Sequence, residues 1–145
     1  MSPTDGPSRR EARGAALQMM YQSEIGRASA HEAIQTYWPL REAETDLAEP
    51  LQEFANGLVR GTIERMSEID AILGEHAVNW RVERMAVIDR LVLRLAIYEL
   101  LAEPGTPSKV VINEAIELAR RYSGEEAVPF VNGVLDSVRK GLRRE

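Results

Sequence analysis

An all-α fold is predicted, and three observations predict it. Apolar residues recur at three-and-four spacing over most of the chain. No segment alternates with period two for long enough to make a convincing strand, although Val110, Val111 and Ile112 are β-prone locally. Helix start and stop signals punctuate the whole length.

The organising stretch is 89–102, DRLVLRLAIYELLA. Leu91, Val92, Leu93, Leu95, Ala96, Ile97, Leu100 and Leu101 lie on almost every side of its helical wheel. A helix that is apolar nearly all round is one surrounded by other elements, so this is the predicted central strut. Asp89, Arg90 and Arg94 interrupt it, and its apolar run is far shorter than the roughly 20 residues of a bilayer span. It therefore reads as a buried helix of a soluble protein.

The other elements follow in order. Ser8 with Glu11, Ser29 with Glu32, and Ser123 with Glu126 each have capping-box spacing, in which a hydroxyl and a carboxylate satisfy two orphaned backbone donors. The first helix is expected over 9–25, stopping at Gly26, and the second from about Ala30 to Trp38, because Pro39 cannot continue it. A long helical pattern from about Leu47 carries Leu51, Phe54, Leu58, Ile63, Met66, Ile69 and Leu73, with a break expected at Gly74. A short turn at 82–85 leads into the central helix, which closes at 103–107, EPGTP. Helices over 108–122 and about 125–142 complete the chain. Asn113 and Glu114 interrupt the apolar pattern of the first of these, and a hydrogen bond to Arg94 or Tyr98 would keep them inside the core.

Composition bounds the function. The 145 residues are 44% hydrophobic and 28% charged, enough for one domain or two small bundles and too few for a second catalytic domain. Cysteine is absent, which removes disulfides and thiolate chemistry and makes the cytoplasm the simplest location. Residues 1–8 read as a disordered tail rather than a secretory signal. The net charge of −5 argues against general nucleic-acid affinity, but the charge is polarised. Residues 8–13 hold three arginines against one acid, 139–145 hold four bases against one acid, and 41–53 hold five acids against one base.

Two helix faces could carry function. On the first helix Arg10, Arg13, Leu17 and Tyr21 gather opposite Ala12, Ala15, Ala16 and Met19, with Arg9 at the helix start. Guanidinium forks for phosphate and a ring on which a base can stack are what single-stranded RNA needs. The commoner alternative leaves Leu17 and Tyr21 in the core and the arginines on a solvated helix end. On the last helix Phe130 falls to one flank of the stripe Ala127, Val131, Val134, Leu135, Val138 and Leu142, where it either closes the core or offers a ring to a ligand. Catalytic constellations are missing: there are two histidines, His31 and His76, with no HExxH spacing, and no Gly-rich phosphate loop. An enzyme is not expected.

Three stretches, RREARGAALQMMY at 9–21, LRLAIYEL at 93–100 and KVVINEAIELARRYSGEEAVPFVNGVLD at 109–136, together resemble the NusB family of bacterial transcription antitermination factors. The resemblance implies about seven helices in two packed, roughly perpendicular three-helix bundles, here about 9–78 and 79–142 of a single domain spanning 9–145. It implies binding to the single-stranded boxA element of nascent ribosomal RNA together with NusE, a small-subunit ribosomal protein, in an antitermination complex with RNA polymerase and other Nus factors. No cofactor, metal or reaction is implied. Carried over by position, the RNA-binding residues are Arg9, Arg10, Arg13, Tyr21, Asp89 and Phe130, and the partner-binding residues are Glu125 and Glu126. Glu11 stands where members with a denser basic cluster have a base, which implies weaker RNA binding by the chain alone. The alternative is a homodimeric interaction module whose RNA face is masked by burial of the first helix.

Overall fold

The structure is a computed structural model that describes residues 7–41 and 47–145 and, within them, the side chains from Arg9 onward. The described residues form seven α-helices: α1 Pro7–Gly26, α2 Ala30–Leu40, α3 Glu49–Glu64, α4 Met66–His76, α5 Val87–Ala102, α6 Ser108–Tyr122 and α7 Val128–Gly141. Single 3-10 turns occur at Val82–Arg84 and Glu125–Ala127, and no strand is present among the described residues. The chain divides into two compact units, residues 1–64 and 65–145.

In the first unit α1 packs on α2 and α3, and α2 packs on α3. Ala12, Ala15 and Ala16 bring the α1 backbone close to its neighbours, while Leu17, Met19, Met20, Ile34, Tyr37, Leu58 and Val59 fill the space between. The predicted capping box at α2 is formed: Glu32 N–H donates to Ser29 Oγ at 3.1 Å, and Ser29 N–H donates to Glu32 Oε1 at 2.9 Å. The Ser29 backbone bond first, then its hydroxyl, holds the Glu32 carboxyl below the usual carboxylate range. Pro39 lies inside α2, two residues short of the C-cap, where a missing N–H forgoes only one bond of the last turn. At the end of α1, Gly26 is the last helical residue, and the left-handed conformation that closes the helix falls on Arg27, φ 55°. The α1 backbone begins before Ser8, and the Ser8 hydroxyl lies outside the described residues.

The break expected at Gly74 occurs instead at Arg65, φ −104° and ψ 21°, between α3 and α4. Neither glycine nor proline marks it, and Gly74 continues α4. Arg65 then grips Glu68 with two bonds, 2.8 and 3.0 Å, across the first turn of α4. Because α4 packs on α5 and α7, it belongs to the second unit, whereas the sequence reading placed everything to about residue 78 in the first.

In the second unit α5 packs against α4, α6 and α7. Every residue from Arg90 to Ile97 is buried, as the all-round apolar wheel predicts. Arg94 survives there because its fork meets Asp70 of α4 with two bonds of 2.8 Å. That also corrects the expectation for Asn113, which is exposed on α6 rather than held against α5. The Ser123–Glu126 box is not formed. Ser123 caps the C-terminus of α6, Gly124 takes φ 146°, and Pro129 in the first turn of α7 delays the α-helix to Val128. The basic C-terminus is structural. Arg144 donates to the carbonyls of Leu100 and, at 2.7 Å, Thr106, while Arg139 holds Asp136 at 2.8 Å and the Arg144 carbonyl at 3.1 Å.

Candidate nucleic-acid and partner surfaces

In the first unit the structure assembles a basic and aromatic group at the start of α1. The Arg9 guanidinium lies 3.8 Å from the centroid of the Phe54 ring of α3, and that of Arg13 lies 5.4 Å from the same ring. Stacking uses the flat faces of a guanidinium and keeps its N–H donors in the plane around the edge, the geometry that suits phosphate. Arg13 is only 4% exposed, so it acts on this surface by fixing Phe54 rather than by reaching outward. Arg10 is exposed, and Tyr21, 43% exposed, stands on the same side of α1 about 16 Å further along the helix. Leu17, between them, is buried. The two readings of this face are therefore each half right: Leu17 and Arg13 join the interior, and Arg10 and Tyr21 face solvent. Phe54 was legible only as one more member of the α3 core stripe.

In the second unit Asp89, Phe130 and Glu126 converge on one groove, joined by Trp80, Met85 and Ala127. Its volume is about 470 Å³. Phe130 and Trp80 form a tilted T-shaped pair with a centroid distance of 5.7 Å and an angle of 61°, and Trp80 remains 55% exposed. Phe130 is half-buried on its flank of α7: it packs against Trp80 and keeps part of its ring on the groove. Asp89 stands in the first turn of α5, with its Oδ1 shielded from water and accepting no hydrogen bond. Glu125 does not share the groove: Arg120 Nε donates to its Oε2 at 2.6 Å, and that bond raises the Arg120 pKa above its ordinary value. Glu126 has no ion pair with any described residue, and Gly124 makes room for it. A Cβ at residue 124 would lie 2.5 Å from Glu126 Oε1. Trp80 was missed from sequence because it follows Asn79, φ 72°, in a connection that read only as a turn.

Among the described residues, no group of three or more histidines or acids is placed to hold a metal ion. No helix among them is long and apolar enough to cross a membrane. What remains is an all-helical protein whose notable surfaces are ring-and-charge patches suited to binding macromolecules. The chain belongs to the NusB family of transcription antitermination proteins, which are not enzymes; the match spans residues 10–140. It is 46% identical over 138 residues to a transcription antitermination protein NusB of Koribacter versatilis, covering 95% of this chain and 92% of that one. It is also similar to the solved NusB of T. maritima, with 38% identity, TM-score 0.78 and coverage of 91% and 90%. A chain in a crystal structure of the antitermination factors NusB and NusE with double-stranded RNA matches with 26% identity, TM-score 0.81 and coverage of 93% and 98%.

Proposed function

We propose that this chain binds the boxA element of nascent ribosomal RNA together with NusE, acting in the cytoplasm as part of an antitermination complex with RNA polymerase. The observation that carries the reading is the start of α1, where Arg9 and Arg13 share the Phe54 ring while Arg10 and Tyr21 face solvent on the same helix. Fixed cations beside an available ring supply both halves of single-strand recognition, phosphate neutralisation and base stacking. The relative solved with NusE and RNA supports the choice of partners.

Glu11, exposed next to Arg10, opposes phosphate on this surface, so affinity for RNA alone is modest and salt-sensitive, and NusE supplies the remainder. Titrating boxA RNA into the chain, with and without NusE, tests this. Tighter binding by the pair is expected, and equal affinity overturns the division of labour. The masked homodimer has one observation in its favour: Tyr21 and Ile25, one turn apart on α1, are 43% and 57% exposed. Sedimentation of the chain with and without boxA RNA separates the two, since masking requires RNA to convert dimer to monomer.

A further inference from the structure

We propose that Arg41, at the end of α2, is a further phosphate contact of the RNA surface in the first unit, and that it offsets from α2 the negative charge of Glu11 on α1. The inference rests on the proposed function and adds a residue to that same surface. The half-buried Arg41 guanidinium lies 4.1 Å from the centroid of the Tyr37 ring, the arrangement that Arg9 has on Phe54 at 3.8 Å. Stacking occupies the flat face of a guanidinium and leaves its N–H donors in the plane around the edge. Neither Arg9 nor Arg41 makes an ion pair with a described residue, so both forks are available to an anion.

The packing of α2 on α1 fixes where Arg41 stands. Residues 27–29 join the two helices, and Tyr37 Oη donates to Gln18 Oε1 at 3.3 Å, so α2 runs back along α1. Four residues beyond Tyr37, Arg41 lies roughly 6 Å nearer the start of α1, about one turn short of the level of Glu11. Glu11 and Gln18 are seven residues apart and fall within about 20° of each other on the α1 wheel. Arg41 is therefore beside the stripe of α1 that carries Glu11. Around α1, Arg9 with Phe54 of α3 stands to one side of Arg10 and Tyr21, and Arg41 with Tyr37 of α2 stands to the other. A strand crossing the exposed strip of α1 meets a guanidinium on each flank, and the phosphate nearest Glu11 is not left facing a carboxylate alone. A cation in this place also suits the C-terminus of α2, where the Arg41 N–H already bonds the Trp38 carbonyl. That role acts on stability and leaves the salt dependence of RNA binding untouched.

The test titrates boxA RNA into the full chain at several salt concentrations, with thermal midpoints recorded alongside. R41A should weaken binding three- to ten-fold and lower the slope of log affinity against log salt by about 1, while R41K, which keeps the charge, keeps the slope. E11Q should raise affinity more in the R41A background than in the unaltered chain, because only there is the carboxylate no longer offset. A lower midpoint with an unchanged slope in R41A means that Arg41 serves the fold alone, and the proposal is overturned. A slope that falls as far in R41K as in R41A assigns the effect to the lost stack on Tyr37 and overturns it too. Equal gains from E11Q in both backgrounds overturn the compensation of Glu11. If the unaltered chain binds no boxA RNA, with or without NusE, the proposed function itself is wrong and the role of Arg41 falls with it.

Discussion

The two units place aromatic rings in opposite electrostatic company. In the first, Phe54 lies under the guanidinium groups of Arg9 and Arg13; in the second, Trp80 and Phe130 lie beside Asp89 and Glu126. A ring by itself accepts a base, a cation or an apolar side chain with little discrimination. The fixed charge beside it selects among them, so a ring among guanidinium groups and a ring among carboxylates favour ligands of opposite charge. Within a chain of net charge −5 the charges are thus sorted by place rather than summed.

The groove of the second unit stands on a frame held by the Arg94–Asp70 pair between α5 and α4, and breaking that pair has the largest expected effect. Its side chain is 10% exposed and its partner Asp70 31% exposed, with both prongs of the fork engaged. Arg94→Met removes the cation and strands the carboxylate against α5. A loss of about 3 kcal/mol is expected, at the low end for a broken buried pair because Asp70 keeps some water. Urea denaturation measures it, and a loss under 1 kcal/mol would mean that the pair contributes little to holding α4 on α5.

A smaller effect tests the basic side. Replacing Arg9 and Arg10 with alanine should weaken boxA binding roughly ten- to a hundred-fold and lower the slope of log affinity against log salt by about 1 to 2. NusE affinity should stay unchanged. Arg13 is the wrong residue for this experiment, since its burial makes a stability cost inseparable from a binding one. If the double variant loses NusE and keeps RNA, the assignment of the two surfaces is reversed.

Much of this arrangement was legible in the sequence. The buried strut α5 followed from an apolar wheel, α6 from its stripe, and the α2 start from Ser29 and Glu32, because each depends on interactions within one helix. What escaped depended on contacts between elements. The α3–α4 break at Arg65 carries no glycine or proline, and the Ser123–Glu126 spacing was overridden once Gly124 turned the chain. The sites behaved alike. Arg9, Arg10 and Tyr21 were visible as charge and ring on one helix, whereas Phe54 and Trp80 acquire their roles only from what packs beside them. The basic C-terminus misled in the opposite sense, since Arg139 and Arg144 are occupied with carbonyls and Asp136.

The smallest effect concerns acid, and it reads out the carboxylates that hold the frame. Ser29 holds the Glu32 carboxyl below its ordinary 4.5, Arg65 does the same for Glu68, and Arg139 followed by Lys140 holds Asp136 below 3.8. A carboxyl with a depressed pKa in the folded chain binds its proton first in the unfolded one. Its contribution to stability is therefore complete above the ordinary value and disappears as pH falls through the folded value. Denaturation midpoints should be flat from pH 7 to about 5 and decline below that. Glu32 and Glu68 are exposed and Asp136 is partly so, and solvent screening keeps the slope shallow. E68Q and D136N should each flatten it, because an amide carries no proton to gain. If E68Q leaves the slope unchanged, the two bonds from Arg65 to Glu68 contribute nothing to the start of α4 in solution.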